Sequence, residues 1–222
     1  MFLIYNDLQL NLNIYIYFIK YNLNKLYIIK YIDKKDNGFN NFFKRINYFG
    51  HYKIVKYLLK NKQIDPSINN NHAIKYTSEN GYYKIVKLLL KDKRIDPSVK
   101  INHAIRIAAE NGYYKIVKLL LKDKRVDPSD DDDYAIIMAS LNGHLKVIKL
   151  LLKDERVDPS YLFRQSCTIG NYKIVKLLLK NKQVDPSYGN NCAIRCAIEN
   201  KHDKIVKLLL KNERVKTTYK IS

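Results

Sequence analysis

The chain has 222 residues, 46% of them hydrophobic, with 41 basic against 21 acidic side chains and a formal charge of +20 at pH 7. That apolar share excludes a wholly disordered chain, and the length allows one domain or a short repeat array. The charge excess is nearly all lysine, which attracts nucleic acid, anionic membrane and acidic proteins alike. Lys, Asn, Ile and Tyr also share A/T-rich codons, so base composition accounts for the same excess without function.

In chain order, "MFLIYNDLQLNLNIYIYFIKYN" lacks a basic n-region and a small-residue cleavage site, so it is a poor signal peptide. Its longest apolar run, Ile14 to Ile19, is too short to span a bilayer. The chain is therefore expected to be soluble and intracellular. Residues Tyr21 to Ile32 have the apolar spacing of a degenerate helix, whereas the alternation Leu8, Leu10, Leu12, Ile14, Ile16 fits a strand. Both readings stay open, and residues 1–33 are expected to form a capping segment. Asn40 to Phe49 reads as a degenerate first helix of residues 34–64.

From Gly81, "GYYKIVKLLLKDKRIDPS" returns almost unchanged at Gly112, and with edits from Gly50, Gly143, Gly170 and Lys201. Aligned on Lys53, Lys84, Lys115, Lys146, Lys173 and Lys204, the copies step by 31 residues, apart from one step of 27. A fixed period of this size marks a stacked-repeat architecture. The units are 65–95, 96–126, 127–157, a shortened 158–184, and 185–215, followed by a tail at 216–222.

Each unit predicts two helices. In 96–126, "HAIRIAAEN" is apolar at positions 104, 105, 107 and 108. "YKIVKLLLK" buries Ile116, Val117, Leu119, Leu120 and Leu121 beneath exposed Lys115, Lys118 and Lys122. Gly112 lies between them, where a helix end needs positive φ. Before each first helix stands Asn71, Asn102, Asp133, Ser160 or Asn191, which predicts a side-chain N-cap worth on the order of 1 kcal/mol.

These strings resemble the ankyrin repeat family: "NGYYKIVKLLLK" and "NGHLKVIKLLLK" are similar to its inter-helix glycine and second helix, and "AIRIAA" to the end of its first helix. The "DPS…N-x-A-I" dialect resembles ankyrin proteins of giant DNA viruses and their amoebal hosts. The resemblance implies an all-α solenoid of helical hairpins with short connecting fingers. The family's Thr-Pro-Leu-His tetrad is replaced by "HAIK", "HAIR", "YAII", "YLFR" and "CAIR". The loop after the second helix lacks its glycine, so fingers without a regular hairpin are expected. Lys201, Asp203 and inward-looking Gln165 depart from the pattern and predict looser packing toward the C-terminal end.

The resemblance further implies a non-enzymatic scaffold that binds a protein, a host protein in host cytoplasm if the source is viral. Positions that vary on a constant frame are then the recognition candidates. On the fingers these are Ile68, Asn69, Asn70, Val99, Lys100, Ile101, Asp130, Asp131, Asp132, Tyr188, Gly189 and Asn190. At the first-helix ends they are Leu141 and Thr168, with Glu79, Glu110 and Glu199 in register. The alternative is an unspecific binder of nucleic acid or anionic membrane through a ridge of Lys87, Lys118, Lys149, Lys176 and Lys207.

Chemistry finds little support. There is no phosphate loop, HExxH or nucleophile elbow. His72 and His103 read as surface histidines, and Asp130 to Asp133 lack the spacing and glycine of a calcium loop. Cys192 and Cys196 lie one helical turn apart with His202 beyond, but no other copy carries ligands there. With Cys167 they lack paired spacing, which argues against a disulfide framework. No catalytic residue, cofactor, metal or small-molecule substrate is expected.

Overall fold

The computed structural model describes residues 43–44, 46–60 and 65–219; segment 1–33, with its cap and strand readings, lies outside them. Regular structure among the described residues is helical. α1 (Tyr52–Leu59) is followed by the hairpins α2 (Ile68–Glu79) and α3 (Tyr83–Leu89), α4 (Val99–Glu110) and α5 (Tyr114–Leu120), and α6 (Asp130–Leu141) and α7 (Leu145–Leu151). Then come α8 (Ser160–Thr168) and α9 (Tyr172–Leu178), α10 (Tyr188–Glu199) and α11 (Asp203–Leu209), and a last helix, α12 (Glu213–Tyr219).

A single hairpin cannot cover its own apolar face, so stacking does it. First helices pack on first helices (α2 on α4, α4 on α6, α8 on α10), and second helices on second helices (α1, α3, α5 and α7 in turn, then α9 on α11). The contact between α6 and α8, at the shortened unit, is the thinnest in the first layer. The core between the layers contains Ile74, Ile105, Ile136 and Ile194 of the first helices and Val86, Val117, Ile148 and Val175 of the second, all at 0% exposure. Each such side chain contributes about 2 kcal/mol by leaving water.

The glycine between helices is required twice over. Gly112 adopts φ +72°, open to L-residues only with strain, and a Cβ there would stand 2.5 Å from the His144 ring of the following unit. The C-terminal hairpin replaces this glycine with Lys201 at φ 59°. Val206 there is only half-buried, unlike its counterparts, and the buried Gln165 Oε1 has no partner. Both observations match the looser C-terminal packing expected.

The fingers have no regular hairpin among the described residues, as expected, but their form was not foreseen. In each full-length unit the first helix opens on a left-handed turn: Asn69–Asn71, Lys100–Asn102, Asp131–Asp133 and Gly189–Asn191 all have φ between 51° and 62°. The turn is closed by a backbone bond from its third residue to the serine four earlier, as in Asn102 N–H to Ser98 O, 2.9 Å. Asn, Asp and Gly enter this region with least strain, which explains their frequency at the tips.

The N-cap expectation is corrected. Asn71 Oδ1 accepts from the Asp96 N–H (2.9 Å) and Asn102 Oδ1 from the Asp127 N–H (3.0 Å), each in the next unit. Asp133 takes the Asp158 N–H on both oxygens at 3.2 Å. These side chains therefore tie units together and do not close their own helices. Ser160, at the aligned place of the short unit, is the first residue of α8 and caps nothing. At the far end, Asn191 bonds the Thr218 hydroxyl of α12 (Nδ2 to Oγ1, 2.9 Å), and Val215 is fully buried. The segment read as a plain tail thus begins inside a helix that covers the last hairpin.

Candidate interaction surfaces

Left-handed turns carry the variable finger residues outward. Asn69, Asn70, Lys100, Ile101, Asp131, Asp132, Tyr188, Gly189 and Asn190 are exposed, while Ile68, Val99 and Asp130 are half-buried at the base of each turn. Ile101 is the anomaly. It is β-branched, sits at φ 56°, and is 56% exposed where the other tips carry Asn or Asp. Tyr188 is 76% exposed. Along the first-helix ends, Leu141 is 53% exposed and Thr168 half-buried. Glu79 and Glu199 are exposed and Glu110 half-buried. Ile169, 52% exposed beside Thr168, extends the apolar side of this row and was not singled out in the sequence.

A second feature escaped the sequence reading: the fourth residue of the tetrad, Lys75, Arg106, Ile137, Arg164 and Arg195 in successive units. Arg106 reaches across to the next finger, pairing with Asp131, and lies 5.0 Å from the Tyr134 ring centroid while donating to its own finger at Lys100 O (3.3 Å). Arg195 makes the same return bond to Gly189 O, and Arg164 rests on Tyr161. Lys75 occupies the Arg106 place one unit earlier, at 8% exposure, and meets Lys100 where Arg106 meets Asp131. Burial and then the Lys100 ammonium hold its pKa below the usual lysine value. Close by, His72 stacks on Tyr76 (centroids 3.9 Å) with its Nδ1 buried and without a partner. Burial first, then the charges of Lys44, Lys75 and Lys100, push its pKa down to about 4. The signal available in sequence was a cation recurring at one aligned position.

The opposite layer is basic. Lys87, Lys118, Lys149, Lys176 and Lys207 are all exposed, as are Lys84, Lys115, Lys146, Lys173 and Lys204 one helical turn earlier. Among the described residues none of these ten forms an ion pair. Across α1, α3, α5, α7, α9 and α11 there are twelve lysines and a single acid, Asp203.

Neither histidines nor cysteines assemble a reactive group. His72 and His103 are half-buried and uncharged in tendency, both lowered first by burial. Cys192 and Cys196 Sγ lie 3.8 Å apart, while burial pushes the Cys167 thiol up to about 12. Among the described residues no group of three or more His, Cys, Asp or Glu could hold a metal ion, and no helix is long and apolar enough to cross a membrane.

A family model described as ankyrin repeats (3 copies) matches residues 99–161 and 155–220. The matched span runs from the start of α4 through α12. No curated protein matches the chain.

Proposed function

Because the chain belongs to the ankyrin repeat family, whose members are generally protein–protein interaction modules, we propose that it is a non-enzymatic scaffold holding a protein partner along its finger tips and first-helix face. The observation that carries this is Ile101, an apolar β-branched residue kept strained and in water. Such strain points to function because folding alone selects against it, and an exposed apolar side chain on a rigid frame is what an interface anchors on. Replacing Ile101 with Asn and Tyr188 with Asp, residues that other fingers carry in those places, should preserve or raise thermal stability. It should also remove the proteins retained from lysate by wild type. Retention of the same proteins by the double variant sinks the reading.

The unpaired lysines favour a second one: the outer ridge binds nucleic acid or anionic membrane through charge. A steep fall of affinity for duplex DNA with salt, insensitive to sequence, is its signature, and loss on substituting Lys87 and Lys118 with Gln its check.

A further inference from the structure

Two neighbouring positions of the array share a geometry and differ in sign. At one, the cation of a first helix (Arg106) meets a carboxylate on the next finger (Asp131). At the other, the cation (Lys75, 8% exposed) has a second cation, Lys100, at the aligned place on the next finger. Lys75 and Arg106 are 31 residues apart, as are Lys100 and Asp131, so the four atoms' frames are related by one repeat step. Buried cations are kept by proteins when something neutralises them. Among the described residues Lys75 has no ion pair. The buried, unpartnered Nδ1 of His72 adds a polar atom with nothing to bond.

Resting on the reading of the fingers as a docking face, we propose that the space between Lys75 of α2 and Lys100 of the following finger takes a carboxylate from an acidic segment of the protein partner, in the place that Asp131 fills one unit later. The occupant neutralises both ammonium groups and removes their mutual repulsion. The chain's own Asp131, a short side chain at a finger tip, shows a carboxylate paired with this first-helix cation. Lys100 is itself exposed, so the approach to this place is from solvent.

The test uses the full chain and a fluorescein-labelled hexaglutamate peptide, read by anisotropy at physiological ionic strength. Lys100→Asp installs the intramolecular occupant, and Lys75→Ile copies Ile137, which the fold already accepts. Each should weaken the peptide by about tenfold or more, the loss of one charge-assisted contact. The double variant Lys93→Gln/Lys124→Gln, at two exposed connector lysines, lowers net charge as much as Lys100→Asp and should change affinity by less than about twofold, as exposed, screened charges do. Lys100→Asp should also raise the melting temperature by replacing a repulsive pair with an attractive one.

Equal loss in the Lys93→Gln/Lys124→Gln control, no loss in Lys100→Asp, or a lowered melting temperature for it would each overturn the proposal. So would displacement of the peptide by an oligothymidine of equal charge at lower concentration, which would make phosphate the better occupant. If the finger reading itself fails, partner retention survives the changes at Ile101 and Tyr188. If only this inference fails, those variants still lose the partner while Lys100→Asp keeps it.

Discussion

Two kinds of junction hold the array together, and they are built from different chemistry. Between full-length units, a buried neutral amide (Asn71 at 7% exposure, Asn102 at 3%) receives the next unit's N–H at 2.9–3.0 Å, and an aromatic or imidazole ring closes over the preceding glycine. At the junction entering the shortened unit, the same N–H goes to a carboxylate, Asp133, at 3.2 Å, and Gly143 has nothing within 4 Å of where its Cβ would be. Two changes meet here. The four-residue deletion removes the left-handed turn and starts α8 directly at Ser160, while a separate substitution puts Asn171 in place of a covering ring, its side chain turned to the Ile174 N–H of its own helix. A hairpin stack can thus lose a finger, but its neighbours then hold one another less tightly on that side.

The glycines separate the two junctions most sharply. Gly112→Ala brings a Cβ onto the His144 ring at positive φ, so overpacking adds to strain for about 3 kcal/mol. Gly143→Ala meets only the strain, about 1 kcal/mol. Urea midpoints of the two variants should differ in that order; equal losses would show that the ring yields freely. Next in size is Asn102→Gly, which keeps the left-handed conformation and deletes the acceptor of a buried N–H. It should cost about 2 kcal/mol, and Asp133→Gly less than half of that.

Asp133 predicts a gain. Burial, with the charges of Asp158, Asp127 and Asp132, raises its pKa from 3.8 to about 6 against the help of the Asp158 N–H. The raised value means that the folded state favours the protonated carboxyl. Its stabilising effect is complete below about pH 4, and is lost as pH climbs through about 6. Linkage alone sets a ceiling of about 3 kcal/mol, which partial solvent access reduces to about 1 kcal/mol. Asp133→Asn restores the amide of the other junctions, so it should stabilise the chain by about 1 kcal/mol at pH 7 and by nothing at pH 4. Thermal melts at the two pH values decide it, and a pH-independent difference would assign the effect to shape.

The repeat and both helices were legible because their causes are local and periodic: the Ile-Val and Leu-Leu pairs recur where the layers face, and Gly112 stands where φ turns positive. The fingers were not. An Asn before a helix signals an N-cap in any single unit, and the true partner of Asn102, the Asp127 N–H, lies 25 residues away. The triplet Lys100-Ile101-Asn102 even argues against a left-handed turn, since only its last residue suits one, so the fold overrides propensity there. The cation at Lys75 and Arg106 was visible as a recurring letter, but its meaning depends on the next finger, Lys100 or Asp131. The last helix lacks the ending that marked every other unit, and the Thr218 hydroxyl, donating to Asn191 Oδ1 at 3.1 Å, does from a side chain what a backbone N–H does elsewhere.

The smallest effect tests whether the junctions share a further tie despite different residues. Arg125 grips Asp123 through Nε (2.9 Å) and Nη2 (2.7 Å), holding that carboxyl below its usual pKa, and its Nη1 donates to Ile95 O of the unit before at 3.0 Å. Arg156 repeats the contact on Val126 O at 3.1 Å. In the shortened unit Gln183 reaches the neighbouring Glu155 O, two residues before the aligned Val157, at 3.0 Å with an uncharged amide. The carbonyl needs a donor of the right length and has no use for the charge, while the exposed Arg–Asp pair is screened by water. Arg125→Gln should therefore cost only about 0.5 kcal/mol, and Arg125→Ala, which leaves the Ile95 carbonyl without its partner, about 1 kcal/mol. If the two variants lose stability equally in urea titrations, the aspartate grip is the tie and the bond to the carbonyl is incidental.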